Sequence, residues 1–548
     1  MARLMGQMMQ MPLMISSLLV HAARHAGDIE IVSKRVEGDI HRYTYKDAEL
    51  RARKLAQAFA RLGCEAGDRV ATLAWNGYRH FEIYYGASGS ELVCHTINPR
   101  LFPEQIAWIA NDAADKILCF DLNFLPLIEK LAPQLTTVKH FVAMVGRSHM
   151  PAQSTIAGLL CYEDLIDAED GVYRWPEFDE NTASSICYTS GTTGNPKGAV
   201  YSHRSTMLHT YGLALPDGMG VGGRDVILPV VPMFHVNAWG TPYAAPMIGA
   251  KLVFPGPHLD GKSLYELLES EKVTFSAGVP TVWLGLINFA QAGKLKFSTL
   301  KRTVIGGSAC PPAMMRTLED EFGIEVIHAW GMTEMSPLGT LSRLKAKHVA
   351  LDVESQRRIL EKQGKVIFGV DMAIVDDDGA ALPWDGKTSG NLVVRGPWVI
   401  QSYFQRSESP LLKLDGREWF PTGDVAAIDE HAFMQITDRS KDVIKSGGEW
   451  ISSIDLENIA MGHPAVLEAA AIACRHPKWD ERPLLVVVKK AGAELTREQM
   501  LQYFDGKIAK WQIPDDVVFV PEIPHTATGK MQKLKLRELF KDHQLPSA

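Results

Sequence analysis

The sequence contains few cysteines, and none of them stands in an arrangement typical of zinc binding or of a disulfide framework. Seven cysteines occur singly, at 64, 94, 119, 161, 187, 310 and 474, without a CxxC pair. An odd number of scattered cysteines favours reduced thiols. Reduced thiols are typical of the cytoplasm, so we expect a cytoplasmic protein.

Long hydrophobic runs and an excess of basic charge are also missing. No window reaches eighteen uninterrupted apolar residues, so no membrane span is predicted. The 57 Lys and Arg residues against 64 Asp and Glu leave a net charge of −7, and nucleic acid is not expected as the principal partner. Residues 1–23 resemble a signal peptide in composition, but Gln7, Gln10 and Pro12 interrupt the run. We favour an N-terminal helix packed on the body of the protein.

The chain has 548 residues, which is long enough for two or more domains. Helical patterns such as 45–62 alternate with short apolar runs such as 70–74 and 116–120, and this alternation predicts parallel α/β layers. Between about 364 and 436, short strand patterns separated by turns predict a β subdomain. A charged, glycine-containing stretch follows, and we predict one domain over 1–438 and a second over 439–548.

The most informative stretch is YTSGTTGNPKG at 188–198. Its hydroxyls belong to Thr189, Ser190, Thr192 and Thr193, and its glycines are Gly191, Gly194 and Gly198. Glycines let backbone N–H groups turn toward an anion, and Lys197 adds a positive charge, so the stretch predicts phosphate binding. A P-loop is not expected, because Pro196 stands where its second glycine belongs. A flexible polar loop between strands is the alternative.

Further motifs follow in order along the chain. They are GGSAC at 306–310, HAWGMTEMS at 328–336, TGD at 422–424 with Arg439 fifteen residues later, SGGEW at 446–450 and PHTATGK at 524–530. The first two follow apolar strand patterns, which places them at the carboxyl ends of strands where α/β proteins bind ligands. Taken singly, Glu334 is typical of a helix N-terminal carboxylate, Asp424 of a turn, and Arg439 and Lys530 of solvated surface charges.

Together and in this order, the motifs resemble those of the adenylate-forming enzymes: acyl-CoA synthetases, peptide-synthetase adenylation domains and luciferases. The resemblance covers about residues 15–540. It implies an α/β fold with a large N-terminal domain of two parallel-sheet α/β subdomains and a β subdomain, followed by a small mobile α+β domain. With MGQMM near the start and KWDERP at 478–483, the chain is similar over its length to bacterial medium-chain fatty acid CoA ligases and methylthiopropionyl-CoA ligases.

The resemblance assigns an ATP site. Its residues are Thr189, Ser190, Gly191, Thr192, Thr193, Gly194 and Lys197 at the phosphates; Gly306, Gly307, Ser308 and Ala309 at the adenine and acyl-pocket wall; His328, Ala329, Trp330, Gly331, Met332 and Thr333 from the adenine to the phosphates; and Asp424 and Arg439 at the ribose and α-phosphate. Glu334 is implied as the Mg²⁺ ligand, since a cation that bridges phosphates needs few carboxylates. Trp330 stands where the family more often has Tyr, so its ring stacks on adenine without a phenolic hydrogen bond.

The resemblance also assigns residues for the acid and for CoA. Lys441 is the hinge of the C-terminal domain; Gly447, Gly448 and Trp450 lie beside the pantetheine arm; and Lys530 is the catalytic lysine. Residues implied at the acid are His235, Val236, Asn237, Trp239, Gly307 and Gly331, with His235 near the carboxylate and Trp239 as a gate. Catalytic roles are implied for Lys530, Glu334, Thr189 and His235. Without the resemblance, the apolar run at 229–243 is more typical of core.

The implied activity is that of an acyl-CoA synthetase, which consumes ATP and CoA with Mg²⁺ and activates an aliphatic acid, here a medium-chain fatty acid. A ligase for 3-methylthiopropionate or another short acid is the alternative. An enzyme that loads a carrier protein is more remote, as are a luciferase-type oxygenase and a non-enzymatic binding protein. A homodimer is expected.

Overall fold

The computed structural model describes residues 4–189, 195–439, 441–447, 449–525 and 531–547. The chain divides into two compact units. The first unit comprises 1–215, 220–258 and 403–405, and the second comprises 216–219, 259–402 and 406–548. The domain boundary predicted at residue 439 lies inside the second unit and stays a prediction.

The first unit alternates helices and strands. Its helices are α1 (Ser16–His25), α2 (Tyr45–Arg61), α3 (Tyr78–Ser88), α4 (Pro103–Asp112), α5 (Leu125–Leu131), α6 (Tyr162–Asp167), α7 (His203–Ala214) and α8 (Thr241–Ile248). Its strands are β1 (Glu30–Lys34), β2 (Ile40–Thr44), β3 (Arg69–Leu73), β4 (Val93–Thr96), β5 (Asp115–Phe120), β6 (His140–Ala143), β7 (Leu160–Cys161), β8 (Ala183–Tyr188), β9 (Gly198–Ser202), β10 (Val226–Pro229) and β11 (Lys251–Phe254).

A seven-stranded sheet has the order β7-β6-β5-β3-β4-β8-β9. Its strands pair in parallel except for β9, which returns antiparallel to β8. In a second group, β10, β11 and β1 pair in parallel and β2 returns antiparallel to β1. The parallel layers predicted from the sequence are therefore confirmed.

Local sequence signals explain where these elements begin. Helix α2 starts after Thr44, whose side chain accepts a hydrogen bond from the N–H of Asp47 in a reciprocal capping box. The predicted elements at 45–62, 70–74 and 116–120 appear as α2, β3 and β5 with ends shifted by one residue. The predicted N-terminal helix is found as α1, which begins at residue 16, while residues 4–11 are exposed.

The second unit begins with the same alternation and then changes. Its helices are α9 (Gly261–Ser270), α10 (Pro280–Ala292), α11 (Pro312–Arg316), α12 (Val353–Leu360), α13 (Ser453–Met461), α14 (Arg497–Tyr503) and α15 (Lys533–Leu539). Its strands are β12 (Phe275–Gly278), β13 (Arg302–Ile305), β14 (Glu325–Gly331), β15 (Leu338–Leu341), β16 (Lys365–Val366), β17 (Asp371–Val375), β18 (Ser389–Arg395), β19 (Leu412–Leu414), β20 (Arg417–Ile428), β21 (Met434–Arg439), β22 (Ile444–Ser446), β23 (Glu449–Ile451), β24 (Val466–His476), β25 (Asp480–Lys489) and β26 (Asp516–Phe519).

Three sheet regions follow one another in this unit. Strands β12, β13 and β14 are parallel, and β15 and β16 continue them antiparallel. Strands β17 to β21 form an antiparallel sheet, as predicted for residues 364–436. Strands β22 to β26 form the last sheet, whose two faces carry separate apolar clusters, one including Leu485 and Val487 and the other Leu484 and Val486. This alternation along β25 is expected for a strand covered on both sides.

No helix in the part of the chain that the structure describes combines the length and hydropathy needed to cross a membrane.

Candidate active site

The predicted phosphate loop is the connection between β8 and β9. The two strands pair up to Tyr188 and Gly198, and beyond them the Thr189 N–H donates to the carbonyl oxygen of Lys197 at 2.9 Å. The Lys197 N–H donates to Thr189 Oγ1 at 3.2 Å. These bonds close the base of the loop. Residues 190–194, which carry the predicted Ser190, Gly191, Thr192, Thr193 and Gly194, lie outside the described residues.

Contacts at the end of this loop favour glycine at 198. A Cβ there would lie 2.9 Å from Ile186 and 3.1 Å from Phe404, and the Phe404 N–H donates to the Gly198 carbonyl oxygen at 2.8 Å. The exposed Lys197 places its ammonium 4.9 Å from the ring centroid of Tyr403. The lysine is therefore available at the surface of the loop base.

The predicted acyl region has an unusual backbone. Residues 236–240 form one tight turn in which Val236, Asn237, Ala238 and Trp239 have φ between 46° and 54°, and Gly240 has φ 81°. Non-glycine residues rarely adopt this left-handed conformation, and bulky or β-branched residues least of all. The turn begins directly after His235, which is half-buried, and Trp239 is 6% exposed. Of the residues predicted at the acid, Val236, Asn237 and Trp239 therefore lie in a strained turn, and His235 directly precedes it.

Buried polar side chains hold the backbone on both sides of this turn. The Asn76 amide donates to the carbonyl oxygens of Pro229 and Val231 at 2.9 Å, and Asn76 Oδ1 accepts from the Met233 N–H at 2.6 Å. The Thr241 hydroxyl donates to the Ala238 carbonyl oxygen at 2.8 Å. Because buried backbone groups require partners, these bonds fix the path of the segment.

The side chain of Asn237 contacts strand β8. Its amide donates to Ser185 Oγ at 3.0 Å, and the Cys187 thiol lies 3.6 Å from Asn237 Oδ1. These contacts hold the Asn237 side chain against β8, and its predicted role at the acid stays a prediction.

In the second unit, GGSAC follows β13 as predicted. Gly307 has φ 82°, and a Cβ on Gly306 would lie 2.9 Å from the Ala329 carbonyl oxygen. Both positions therefore require glycine, which lets this connection approach β14 closely. Ser308 is exposed and Ala309 is half-buried, so both belong to the surface of the connection.

His328 on β14 makes structural contacts with both ring nitrogens. Nε2 accepts from the Cys310 N–H at 3.2 Å, and Nδ1 therefore carries the proton and donates to the Glu361 carbonyl oxygen at 2.9 Å. Burial lowers the pKa of His328 to about 4, so the ring is neutral at pH 7. Its described contacts are those of a residue that positions the GGSAC connection, and sequence reasoning missed this role.

Trp330 connects the two predicted nucleotide motifs. Its Nε1–H donates to Asp424 Oδ2 at 2.8 Å, and the guanidinium of Arg439 lies 3.6 Å from Asp424 Oδ1. Asp424 and Arg439 face each other in the register of β20 and β21. The Trp330 ring packs over Gly339, where a Cβ would lie 2.6 Å from the ring. Residues that are 94 and 109 positions apart in the sequence thus form one carboxylate-centred group.

Glu334 follows at the end of β14. Gly331 is tightly packed, since a Cβ there would lie 2.0 Å from the Pro337 carbonyl oxygen, and the Met332 N–H donates to the same oxygen at 3.1 Å. Thr333 and Glu334 are each 8% exposed in the short helical turn Thr333–Met335. A single shielded carboxylate is a suitable donor for Mg²⁺, which keeps several waters and binds phosphates through its other positions.

Beyond Asp438 the structure shows a group of buried ion pairs that sequence reasoning missed. Lys533 Nζ lies 2.6 Å from Glu457 Oε1, and Arg537 pairs with Asp442. Although burial alone lowers it, Glu457 keeps the pKa of Lys533 above its ordinary value. We call Asp438, Asp442, Glu457, Lys533 and Arg537 the charged cluster.

The charged cluster contains residues from both sides of the predicted hinge residue in the sequence. Asp438 precedes Lys441, and its Oδ2 accepts from the Ser453 N–H at 2.7 Å. Ser453 Oγ accepts from Lys533, and Glu457 Oε1 also accepts from the Ala471 N–H at 2.9 Å. Hydrogen bonds therefore join the residues on the two sides of Lys441.

The predicted CoA residues are described in part. Gly447 has φ 62°, its N–H donates to the Trp479 carbonyl oxygen at 2.8 Å, and a Cβ would lie 2.8 Å from the Trp479 ring. Gly448 and Lys530 lie outside the described residues, and so does the side chain of Trp450. Helix α15 begins three residues after Lys530.

Comparison with known proteins identifies relatives over the whole chain. Residues 19–404 match the family of AMP-binding enzymes, and residues 455–530 match the AMP-binding enzyme C-terminal domain. The chain is 54% identical over 539 residues to 3-methylmercaptopropionyl-CoA ligase of Ruegeria lacuscaerulensis, covering 98% of this chain and 99% of the relative. It is 53% identical over 546 residues to medium-chain-fatty-acid–CoA ligase of Ectopseudomonas oleovorans, covering 100% and 99%.

The fold is shared with solved structures. An anthranilate CoA ligase in complex with anthranoyl-AMP superposes with a TM-score of 0.85 at 24% identity, covering 97% of this chain and 98% of that one. At this identity the likeness shows the fold alone. The predicted α/β fold with a separate C-terminal domain is confirmed by this likeness and by the C-terminal family match.

Proposed function

We propose that this chain, which belongs to the AMP-binding enzyme family and is an acyl-CoA ligase, activates medium-chain fatty acids. The residues predicted from its motifs would form the site. The observation that carries the site assignment is the group formed by Trp330, Asp424 and Arg439. Asp424 is 9% exposed; its Oδ2 accepts a hydrogen bond from Trp330, and its Oδ1 forms an ion pair with Arg439. A carboxylate oriented in this way is suited to accept the two hydroxyls of a ribose.

In the first step, an oxygen of the acid carboxylate attacks the α-phosphorus of ATP. The P–O bond to pyrophosphate breaks, and an acyl-adenylate and pyrophosphate result. Lys530, the 189–198 loop with Lys197, and Arg439 would meet the negative charge that develops at the phosphoryl group. His235 would lie beside the carboxylate, at the start of the strained turn.

Glu334 would hold Mg²⁺, which supplies charge neutralisation at the phosphates when bound. Glu334 is shielded from solvent and lies three residues after the end of β14. Thr333 and Thr189 would add hydroxyl donors toward the phosphates.

In the second step, the CoA thiolate attacks the carbonyl carbon of the acyl-adenylate, and AMP leaves. Gly447 and Gly448 would let the pantetheine arm pass close to the backbone. Because Lys530 and these glycines serve different steps, we propose rotation of a domain 439–548 about Lys441. Rotation would require the hydrogen bond between Asp438 and Ser453 to break.

The acid is proposed to lie against Trp239 in an apolar setting. A medium-chain optimum is supported by the identity to the Ectopseudomonas enzyme, and the similar identity to the Ruegeria enzyme favours 3-methylthiopropionate as the second candidate. Each methylene buried in a matched apolar site contributes about 0.8 kcal/mol, or about fourfold in affinity.

The test is kcat/KM over saturated acids from C3 to C16 and over 3-methylthiopropionate, with free CoA as acceptor. We expect a maximum near C6 to C10. A maximum at 3-methylthiopropionate would select the second candidate, and no thioester with any acid would contradict both. Cytoplasmic location and a homodimer belong to the same proposal, and sedimentation of the purified protein tests the dimer.

A further inference from the structure

The turn at residues 236–240 is held in a conformation that its own sequence disfavours. Four successive non-glycine residues are left-handed, and one of them, Val236, is β-branched. Each such residue is disfavoured relative to right-handed or extended backbone, so contacts with the surrounding structure must hold the turn. Gly240, which continues the turn, is confined as well, because a Cβ would lie 2.6 Å from Leu213.

The offsetting contacts converge on Asn237. Its side chain is 3% exposed, and it reaches Ser185 and Cys187, which are 1% and 2% exposed. Ser185 and Cys187 are two positions apart on β8 and therefore share one face of the sheet. The Cys187 sulfur also lies 3.3 Å from Thr96 Oγ1 on the neighbouring strand β4. Asn is among the residues that best tolerate left-handed backbone, so residue 237 suits the turn both locally and through its partners.

We propose that Asn237 is a positioning residue that clamps the left-handed turn onto β8 and thereby sets where His235 and Trp239 stand at the acid. The clamp acts through neutral hydrogen bonds, and Asn237 itself does not touch the acid. This inference rests on the proposed function, since it takes residues 235–239 as part of the acyl site. Without the clamp, the four strained residues relax toward right-handed or extended backbone, and the indole of Trp239 loses its fixed place.

A double-mutant cycle tests the clamp. Asn237→Ala and Ser185→Ala each remove one partner of the same hydrogen bond, and each is expected to lower kcat/KM for octanoate roughly 5- to 50-fold, as for a buried polar group left without its partner. The double variant should be no worse than the poorer single variant, because both remove one interaction. In both single variants, kcat/KM should depend less strongly on acid length than in the wild type, while KM for ATP should change less than twofold.

Two further variants separate a clamp from a direct contact. Ser184→Ala removes an equally buried hydroxyl from the opposite face of β8, where it donates to the Tyr201 carbonyl oxygen at 3.0 Å, and should leave the length profile unchanged. Adding Ala238→Gly to the Asn237→Ala variant should restore at least half of the lost dependence of kcat/KM on acid length. The reason is that glycine adopts the left-handed conformation without a steric cost.

The outcomes distinguish the clamp from the proposed function. An altered profile for Asn237→Ala with an unchanged one for Ser185→Ala, or full additivity of the two, would mean that Asn237 contacts the acid and would overturn the clamp. Should Asn237→Ala fail to fold, Ser185→Ala decides alone, since an unchanged profile in that variant overturns the proposal. A wild-type protein without activity on any acid would instead overturn the proposed function.

Discussion

The turn at residues 236–240 and the charged cluster beyond residue 438 are stabilised by different means. The turn contains no charged residue, and its strained backbone is held by amide and hydroxyl hydrogen bonds. The charged cluster buries carboxylates and cations together, with Lys533 and Glu457 each about nine-tenths buried. The comparison indicates how each region responds to change. Loss of a neutral hydrogen bond should change the backbone conformation of the turn gradually. Loss of one buried charge should instead destabilise the folded protein, because its partner is left buried without a counter-ion.

The largest effect is expected where the charged cluster is broken. Lys533→Met leaves Glu457 buried without its cation, which costs about 3–5 kcal/mol. Hydrogen exchange should report this as at least a hundredfold loss of protection in β24 and β25, beside which Glu457 accepts from Ala471. Lys535→Met, on the exposed side of the same helix, is the matched control. Equal protection in the two variants would show that the cluster does not stabilise this sheet.

The next largest effect is expected on acyl-adenylate formation when the positive charge of Lys530 is removed. Lys530→Ala should lower acyl-adenylate formation roughly 10²- to 10³-fold, as for the loss of one preorganised donor. Supplied with ready-made acyl-adenylate and CoA, the variant should form thioester at near the wild-type rate. A comparable loss in both half-reactions would contradict the assignment of Lys530 to the first step alone.

A smaller effect is expected at the nucleotide group. Trp330→Phe keeps an aromatic face but removes the N–H that donates to Asp424, and hydrogen bonds to charged groups contribute about 1.5–3 kcal/mol. KM for ATP should therefore rise about tenfold or more, with the acid profile unchanged. Trp419→Phe is the control, because its buried Nε1 has no hydrogen-bond partner among the described residues. An ATP affinity equal in both variants would remove Trp330 from the ribose side.

The smallest and most graded effect is expected at the turn. Trp239→Ala opens volume that short acids cannot fill, so kcat/KM should change by up to about fourfold per methylene. The profile from C3 to C16 should become flatter and extend to longer acids, while Trp239→Phe should stay closer to wild type. Uniformly lower activity with an unchanged profile would place Trp239 in the core.

Local patterns predicted much of this fold, because the signals are local. The periodicity of 45–62 and the capping residue Thr44 specify α2 without reference to the rest of the chain. The motifs at 188–198 and 306–310 can also be recognised from the sequence, because their glycines indicate positions that need a residue without a side chain. The structure shows this need as close contacts at Gly198 and a positive φ at Gly307.

What the sequence could not reveal depends on distant partners. His328 has both nitrogens occupied by Cys310 and by Glu361, 33 residues away. Lys533 stands in KLKLR at 533–537, a pattern typical of a solvated helix face, yet its partner is a buried carboxylate. The left-handed turn has only a weak local signal in Asn237 and Gly240, since its other three residues disfavour this backbone and the Asn237 side chain is held by β8.

In the proposed mechanism, the enzyme activates its acid as an adenylate before CoA takes part. The most direct measurement is a single turnover with protein in excess over octanoate, using ATP and Mg²⁺ without CoA, followed by addition of CoA. We expect one pyrophosphate and one protein-bound octanoyl-AMP per octanoate, and CoA should then convert the octanoyl-AMP to octanoyl-CoA and AMP. Formation of ADP and phosphate, or the absence of pyrophosphate until CoA is added, would contradict it.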